Sequence, residues 1–156
     1  MLKSVVIGCG KISVMHCVSI KKQNNAYLAA VCDIKEDRAK KAAEEYETKY
    51  YKKKKKMLDE EKPDAVHICT PHYLHPEMAI YALQKGINVL TEKPMAIHYE
   101  DALKMAEASK KSGKSLVVSF QNRFNPGSLL IKNTLDSGRL GKIISARAMV
   151  TWNRSD

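Results

Sequence analysis

The sequence predicts an α/β fold, a doubly wound parallel sheet with helices on both faces. Short apolar or β-branched runs alternate with helix-compatible stretches along the 156 residues, the order expected of right-handed strand–helix–strand units. The first apolar run stops at Gly8-Cys9-Gly10, a glycine pair set between a strand and a helix. Apolar residues make up 44% and charged residues 28%, which is the balance of a chain with a core.

Leu2–Ile7 ends at Gly8 and reads as a strand buried on both faces. Residues 11–22 are helix-compatible, with Ile12, Met15 and Ser19 on one side. Residues 27–32 form the next strand, stopped by Asp33. Residues 36–47, rich in Ala, Lys and Glu, are strongly helical. A short third strand follows at 48–51, then a helix at 53–61 that must end ahead of Pro63. Residues 65–69 are the fourth strand. Pro76 suits the first turn of a helix reaching Gln84, with Gly86 at its end. Residues 87–90 are the fifth strand. Tyr99–Ser112 is a helix whose Ala102, Leu103 and Ala106 predict the buried side, and Gly113 ends it. Residues 116–120 are the sixth strand and 128–136 a last helix, broken off by Gly138 and Gly141. Residues 143–152 alternate like a half-exposed strand. The expected division is a nucleotide-binding domain at 1–124, then a linker helix and the first strand of a truncated second α/β domain at 125–156.

Composition narrows the function classes. Half of the +10 net charge lies in the lysine run at 52–56. No aromatic or arginine cluster accompanies it, so it reads as a solvated helix face or loop, and no nucleic-acid partner is expected. Aromatics at 6% argue against a base-stacking surface. No apolar run approaches the roughly 18 residues of a membrane helix, and the start is too short for a signal peptide before Gly8. Cys9, Cys17, Cys32 and Cys69 form no C-x-x-C pair, which suits reduced thiols in a cytoplasmic protein without a disulfide framework or a metal site.

The motifs point to a dinucleotide. Gly8 allows a tight turn after the first strand, and Gly10 lets a pyrophosphate approach free N–H groups at a helix N-terminus. Ser13 stands where the fingerprint has its third glycine. Asp33 ends the second strand, where a carboxylate can accept hydrogen bonds from ribose hydroxyls and repel a 2′-phosphate. This favours NAD; Lys35 and Arg38 nearby keep NADP open. Thr70 and Pro71 leave the fourth strand at the sheet edge where ligands bind. His72 and His75 have no third metal ligand nearby, so His75 reads as a helix-start or pocket residue. Glu92-Lys93-Pro94 leaves the fifth strand at the same edge. On its own it is either a surface ion pair or a lysine placed to act on a substrate hydroxyl.

Taken together, GCGKIS, Asp33, CTPHYLHPEMA, EKP and FQNRFNP resemble the Gfo/Idh/MocA family of NAD(P)-dependent oxidoreductases over essentially the whole chain. The resemblance implies a Rossmann domain in which Gly8, Gly10, Lys11 and Ile12 hold the pyrophosphate and Asp33 the adenosine ribose. It places Thr70, Pro71, His72 and His75 on the nicotinamide side, with Asn122 and Arg123 near that end. Glu92 would contact the cofactor, Lys93 would be the catalytic lysine, and a cis Lys93–Pro94 bond is expected. The implied reaction is hydride transfer between nicotinamide and a CH–OH group of a sugar, inositol or related polyol, in a homo-oligomer. Family members carry a further Asp/His pair in a second domain. No such pair occurs here, so the chain reads as a truncated member with little turnover alone. The competing reading is a non-catalytic dinucleotide-binding sensor or partner module.

Overall fold

Val5 and Val6 are fully buried because their strand, β1 (Leu2–Ile7), has a neighbour along each edge and helices over each face. The computed structural model describes residues 1–153. The other strands are β2 (Ala26–Cys32), β3 (Lys49–Tyr51), β4 (Ala65–Ile68), β5 (Asn88–Glu92) and β6 (Leu116–Ser119). The helices are α1 (Ser13–Lys21), α2 (Glu36–Tyr46), α3 (Lys54–Glu61), α4 (His75–Gln84), α5 (Tyr99–Ser112) and α6 (Pro126–Asp136). All strand pairs are parallel, in the order β3-β2-β1-β4-β5-β6. The chain runs outward from β1 to β3 and returns to lay β4 on the other side of β1. That reversal leaves a crevice beyond the carboxyl ends of β1 and β4.

Alternate side chains build the two layers. Val5, Ile7, Ala30, Cys32, Val66, Ile68 and Val89 join one cluster with Met57 of α3, Leu83 of α4 and Met105 of α5. Val6, Val31 and Cys69 join the other with Cys17 and Ile20 of α1 and Ala43 and Tyr46 of α2. The chain divides into two compact units, Met1–Ser119 and Phe120–Asp156. The first ends with the last strand of the sheet. The second contains α6, whose Leu130 and Ile131 are exposed.

The side of α1 that carries Ile12, Met15 and Ser19 is the exposed one, while Ser13, His16, Cys17 and Ile20 are buried, the two polar residues among them drawn inward by hydrogen bonds. Two sequence expectations change. In α5 the fully buried residue is Met105, with Ala108 against the core, and Leu103 is exposed. The period was right and the phase was not. Residues 143–152 form no strand, and Ile144 is 94% exposed. An alternating run becomes a strand only when a neighbour supplies ladder partners, so the expected first strand of a second domain is absent among the described residues.

The lysine run is a solvated helix start held by ion pairs. Lys52 reaches Glu36, Lys54 reaches Glu77 at 2.9 Å and Lys56 reaches Glu60, while Lys55 lies over the Tyr81 ring.

Beneath β1 and β3, the buried Glu61 carboxylate accepts hydrogen bonds from Lys3 Nζ at 2.7 Å, Lys49 Nζ at 2.8 Å and Tyr51 Oη at 2.7 Å. Burial alone would raise its pKa, but these donors outweigh burial and pull it down from 4.5 to about 2. Its folded value is depressed, so its stabilisation is fully present above about pH 4.5 and is lost as pH falls toward 2. Acid titration followed by circular dichroism is expected to show stability falling across that window. Glu61→Gln should be less stable at pH 7 and lose the Glu61 share of the acid slope. An unchanged slope in the variant would show that other carboxylates set it.

Candidate coenzyme site

The glycine loop is shaped by contact on one side and open space on the other. Gly8 has φ +95°, and a Cβ there would lie 2.6 Å from the Cys69 carbonyl oxygen. Its N–H donates to the Cys32 carbonyl at 2.7 Å, and Cys69 N–H donates to Ile7 at 2.8 Å, so β1, β2 and β4 close around it. A Cβ at Gly10 would meet nothing within 4 Å. Among the described residues, no group accepts the amide protons of Gly10, Lys11 and Ile12, which lead into α1. Open space, unpartnered amides and the positive end of a helix fit a pyrophosphate. Ser13 turns inward and donates to the Gly10 carbonyl at 2.6 Å, which fixes the loop from beneath.

Asp33 Oδ2 accepts the Cys9 N–H and Oδ1 the Lys35 N–H, each at 2.8 Å. The carboxylate therefore ties the end of β2 to the phosphate loop and keeps lone pairs for two ribose hydroxyls. Burial first and Asp33 second push the Cys9 thiol up to about 12. It stays uncharged in the loop, where a thiolate would oppose phosphate. All four cysteines are free.

The turns after β4 and β5 form the other half of the edge. Pro71 and His72 are exposed there, while Thr70 turns its hydroxyl toward the Met78 sulfur. His75 is fully buried, so it presents no surface to a ligand. Its Nδ1 lies 2.9 Å from the Pro94 carbonyl and its Nε2 2.9 Å from the Thr70 carbonyl. A ring with one proton donates to one of them, and a ring with two protons to both. His75 thus braces the two turns against each other rather than lining the cleft. The Lys93–Pro94 bond is cis and the Lys93 side chain is exposed. Glu92 is only 7% exposed and is held from below: His16 Nε2 approaches its Oε1 at 3.1 Å, and His67 Nδ1 lies 3.0 Å from His16 Nδ1.

A model of the Gfo/Idh/MocA oxidoreductases, described by an NAD-binding Rossmann fold, matches residues 2–120. The chain belongs to this family. Among Gfo/Idh/MocA proteins it is 37% identical over 142 residues to inositol 2-dehydrogenase 2 of Saccharopolyspora erythraea, covering 89% of this chain and 42% of that one. It is 33% identical to D-glucoside 3-dehydrogenase of Escherichia coli, covering 95% and 43%. The WlbA dehydrogenase of Bordetella pertussis, solved with NADH and UDP-GlcNAcA, superposes with a TM-score of 0.87 at 33% identity over 90% of this chain and 43% of that one. The chain spans about two fifths of the length of these relatives.

The Gfo/Idh/MocA edge thus brings together Gly8, Gly10, Lys11, Ile12, Asp33, Thr70, Pro71, His72, Glu92 and Lys93 on one unit. Asn122 and Arg123 lie in the 3-10 turn Gln121–Phe124 of the second unit. Sequence reasoning missed His16 and His67. His67 alternates with Val66 and Ile68, which puts it on the face α1 covers. His16 falls three residues after Ser13, in phase with Cys17 and Ile20. Among the described residues no cluster of His, Cys, Asp or Glu could hold a metal ion, and no helix is long and apolar enough to cross a membrane.

Proposed function

We propose that this chain is the coenzyme-binding part of a dehydrogenase that moves a hydride between nicotinamide and a CH–OH carbon of a sugar, inositol or related polyol. The observation that carries the reading is the paired geometry of Gly10 and Asp33: open space over unpartnered amides, beside a carboxylate already anchored to that loop. The relatives named for inositol and glucoside oxidation support the substrate class.

Gly10, Lys11 and Ile12 would hold the pyrophosphate through backbone N–H groups, and Asp33 the adenosine ribose. NAD, when bound, supplies the hydride acceptor. The amine of Lys93, exposed beside the Thr70–Pro71 turn, can hydrogen-bond the substrate hydroxyl and, in its uncharged form, take its proton as the carbon is oxidised. His75 keeps that turn and the Pro94 carbonyl at a fixed separation.

Fluorescence titration with NADH is expected to saturate in the range of about 1 μM to 1 mM. NADPH should bind about tenfold or more weakly, because Asp33 faces the position of the 2′-phosphate. Asp33→Ala should weaken NADH and narrow the gap to NADPH. Absence of saturable NADH binding by the folded chain would remove the reading.

A further inference from the structure

We propose that His67 and His16 are positioning residues, a two-ring hydrogen-bond relay that holds the Glu92 carboxylate, and through it the Lys93 amide, in the geometry the coenzyme meets. The inference rests on the dinucleotide reading of this sheet edge. Three elements contribute one residue each: α1 gives His16, β4 gives His67 and β5 gives Glu92.

The chemistry assigns a direction to each bond. A carboxylate oxygen only accepts, so His16 Nε2–H donates to Glu92 Oε1 across 3.1 Å. With one proton per ring, His16 Nδ1 is then bare and must accept. His67 Nδ1 lies 3.0 Å away and supplies that proton. The rings meet edge-on, with centroids 5.2 Å apart and planes at 85°. Burial first, and then His16, hold the His67 pKa down to about 4, so His67 stays a neutral donor. It selects the His16 tautomer that Glu92 needs, as an outer partner fixes the orientation of a functional histidine.

The far end of the relay reaches the functional turn. Glu92 Oε2 accepts the backbone N–H of Lys93 at 3.3 Å, immediately before the cis Lys93–Pro94 bond. Both oxygens of the buried carboxylate are therefore engaged, one from beneath and one by the turn. Removing the His16 donor leaves a buried carboxylate oxygen without its partner. The carboxylate then turns toward water and releases the Lys93 amide.

The test is NADH titration of the chain with His16→Phe, His67→Phe and the double variant. His16→Phe is expected to weaken NADH binding about tenfold, the scale of one lost hydrogen bond to a charged group. His67→Phe should weaken it by less, and the double variant should match His16→Phe, since His67 acts only through His16. Wild-type affinity in His16→Phe, or losses that multiply in the double variant, would overturn the relay. Long-range proton–nitrogen NMR of the unsubstituted chain decides the case even if the variants fail to fold. His16 protonated on Nε2 and His67 protonated on Nδ1 are expected; a bare His16 Nε2 overturns the proposal. If the unsubstituted chain does not bind NADH, the coenzyme reading falls and these spectra alone judge the relay.

Discussion

Gly8→Ala is expected to destabilise the domain by about 3 kcal/mol or more, lowering its melting temperature by roughly 10 °C. Two costs combine. The residue sits at φ +95°, where an L side chain is strained, and its Cβ would lie 2.6 Å from the Cys69 carbonyl oxygen and 2.8 Å from its carbon. Those atoms are backbone, locked by the β1–β4 ladder and the Cys69-to-Ile7 hydrogen bond, so neither neighbour can yield. Gly10→Ala should behave oppositely. Its φ is not positive and its Cβ would enter open space, so stability should change by less than about 1 kcal/mol. NADH affinity should nevertheless fall about tenfold or more, because the added methyl group occupies the phosphate approach. Thermal melts and NADH titrations on the two variants separate the roles. A stable Gly8→Ala, or a Gly10→Ala that binds NADH normally, would contradict the account of the loop.

Lys93→Met should lower kcat by about 10²- to 10⁴-fold, the usual contribution of a placed acid–base group, in protein that oxidises an inositol or sugar with NAD. The reason is positional. Lys93 lies between the buried, hydrogen-bonded Glu92 and the Pro94 carbonyl facing His75, so its backbone is fixed while its side chain is exposed at the sheet edge. The substitution keeps length and removes the amine. NADH affinity should move far less than kcat, because the amides of the glycine loop and Asp33 do not depend on Lys93. Turnover that survives Lys93→Met would favour the sensor reading or another base. Steady-state kinetics beside NADH titration distinguish the two.

Much of this was legible in the chain, and particular residues show why. Val5, Val6 and Ile7 followed by Gly8 announce a buried strand and a tight turn by local chemistry alone. The order of strands and helices restricts the sheet to parallel crossovers, and Pro76, Gly86 and Gly113 mark helix ends through backbone preferences. Residues 143–152 show the limit. Their alternation is genuine, yet none of these residues lies in a strand. Leu103 and Met105 show another: a helical period is visible in sequence, but which of two apolar residues two positions apart turns inward depends on what lies across from it.

The amino-acid order by itself determined the alternation of strands and helices, the glycine turn after β1 and the carboxylate that ends β2, because each is set within one short segment of the chain. Only the tertiary structure decided that His75 is a buried brace rather than a pocket wall, and that His16, His67 and Glu92 form one chain of contacts. Those pairings join residues 51 and 76 positions apart for His16 alone. The helical and strand periods place His16 and His67 on covered faces, but the residues meet only when α1, β4 and β5 are stacked at one edge.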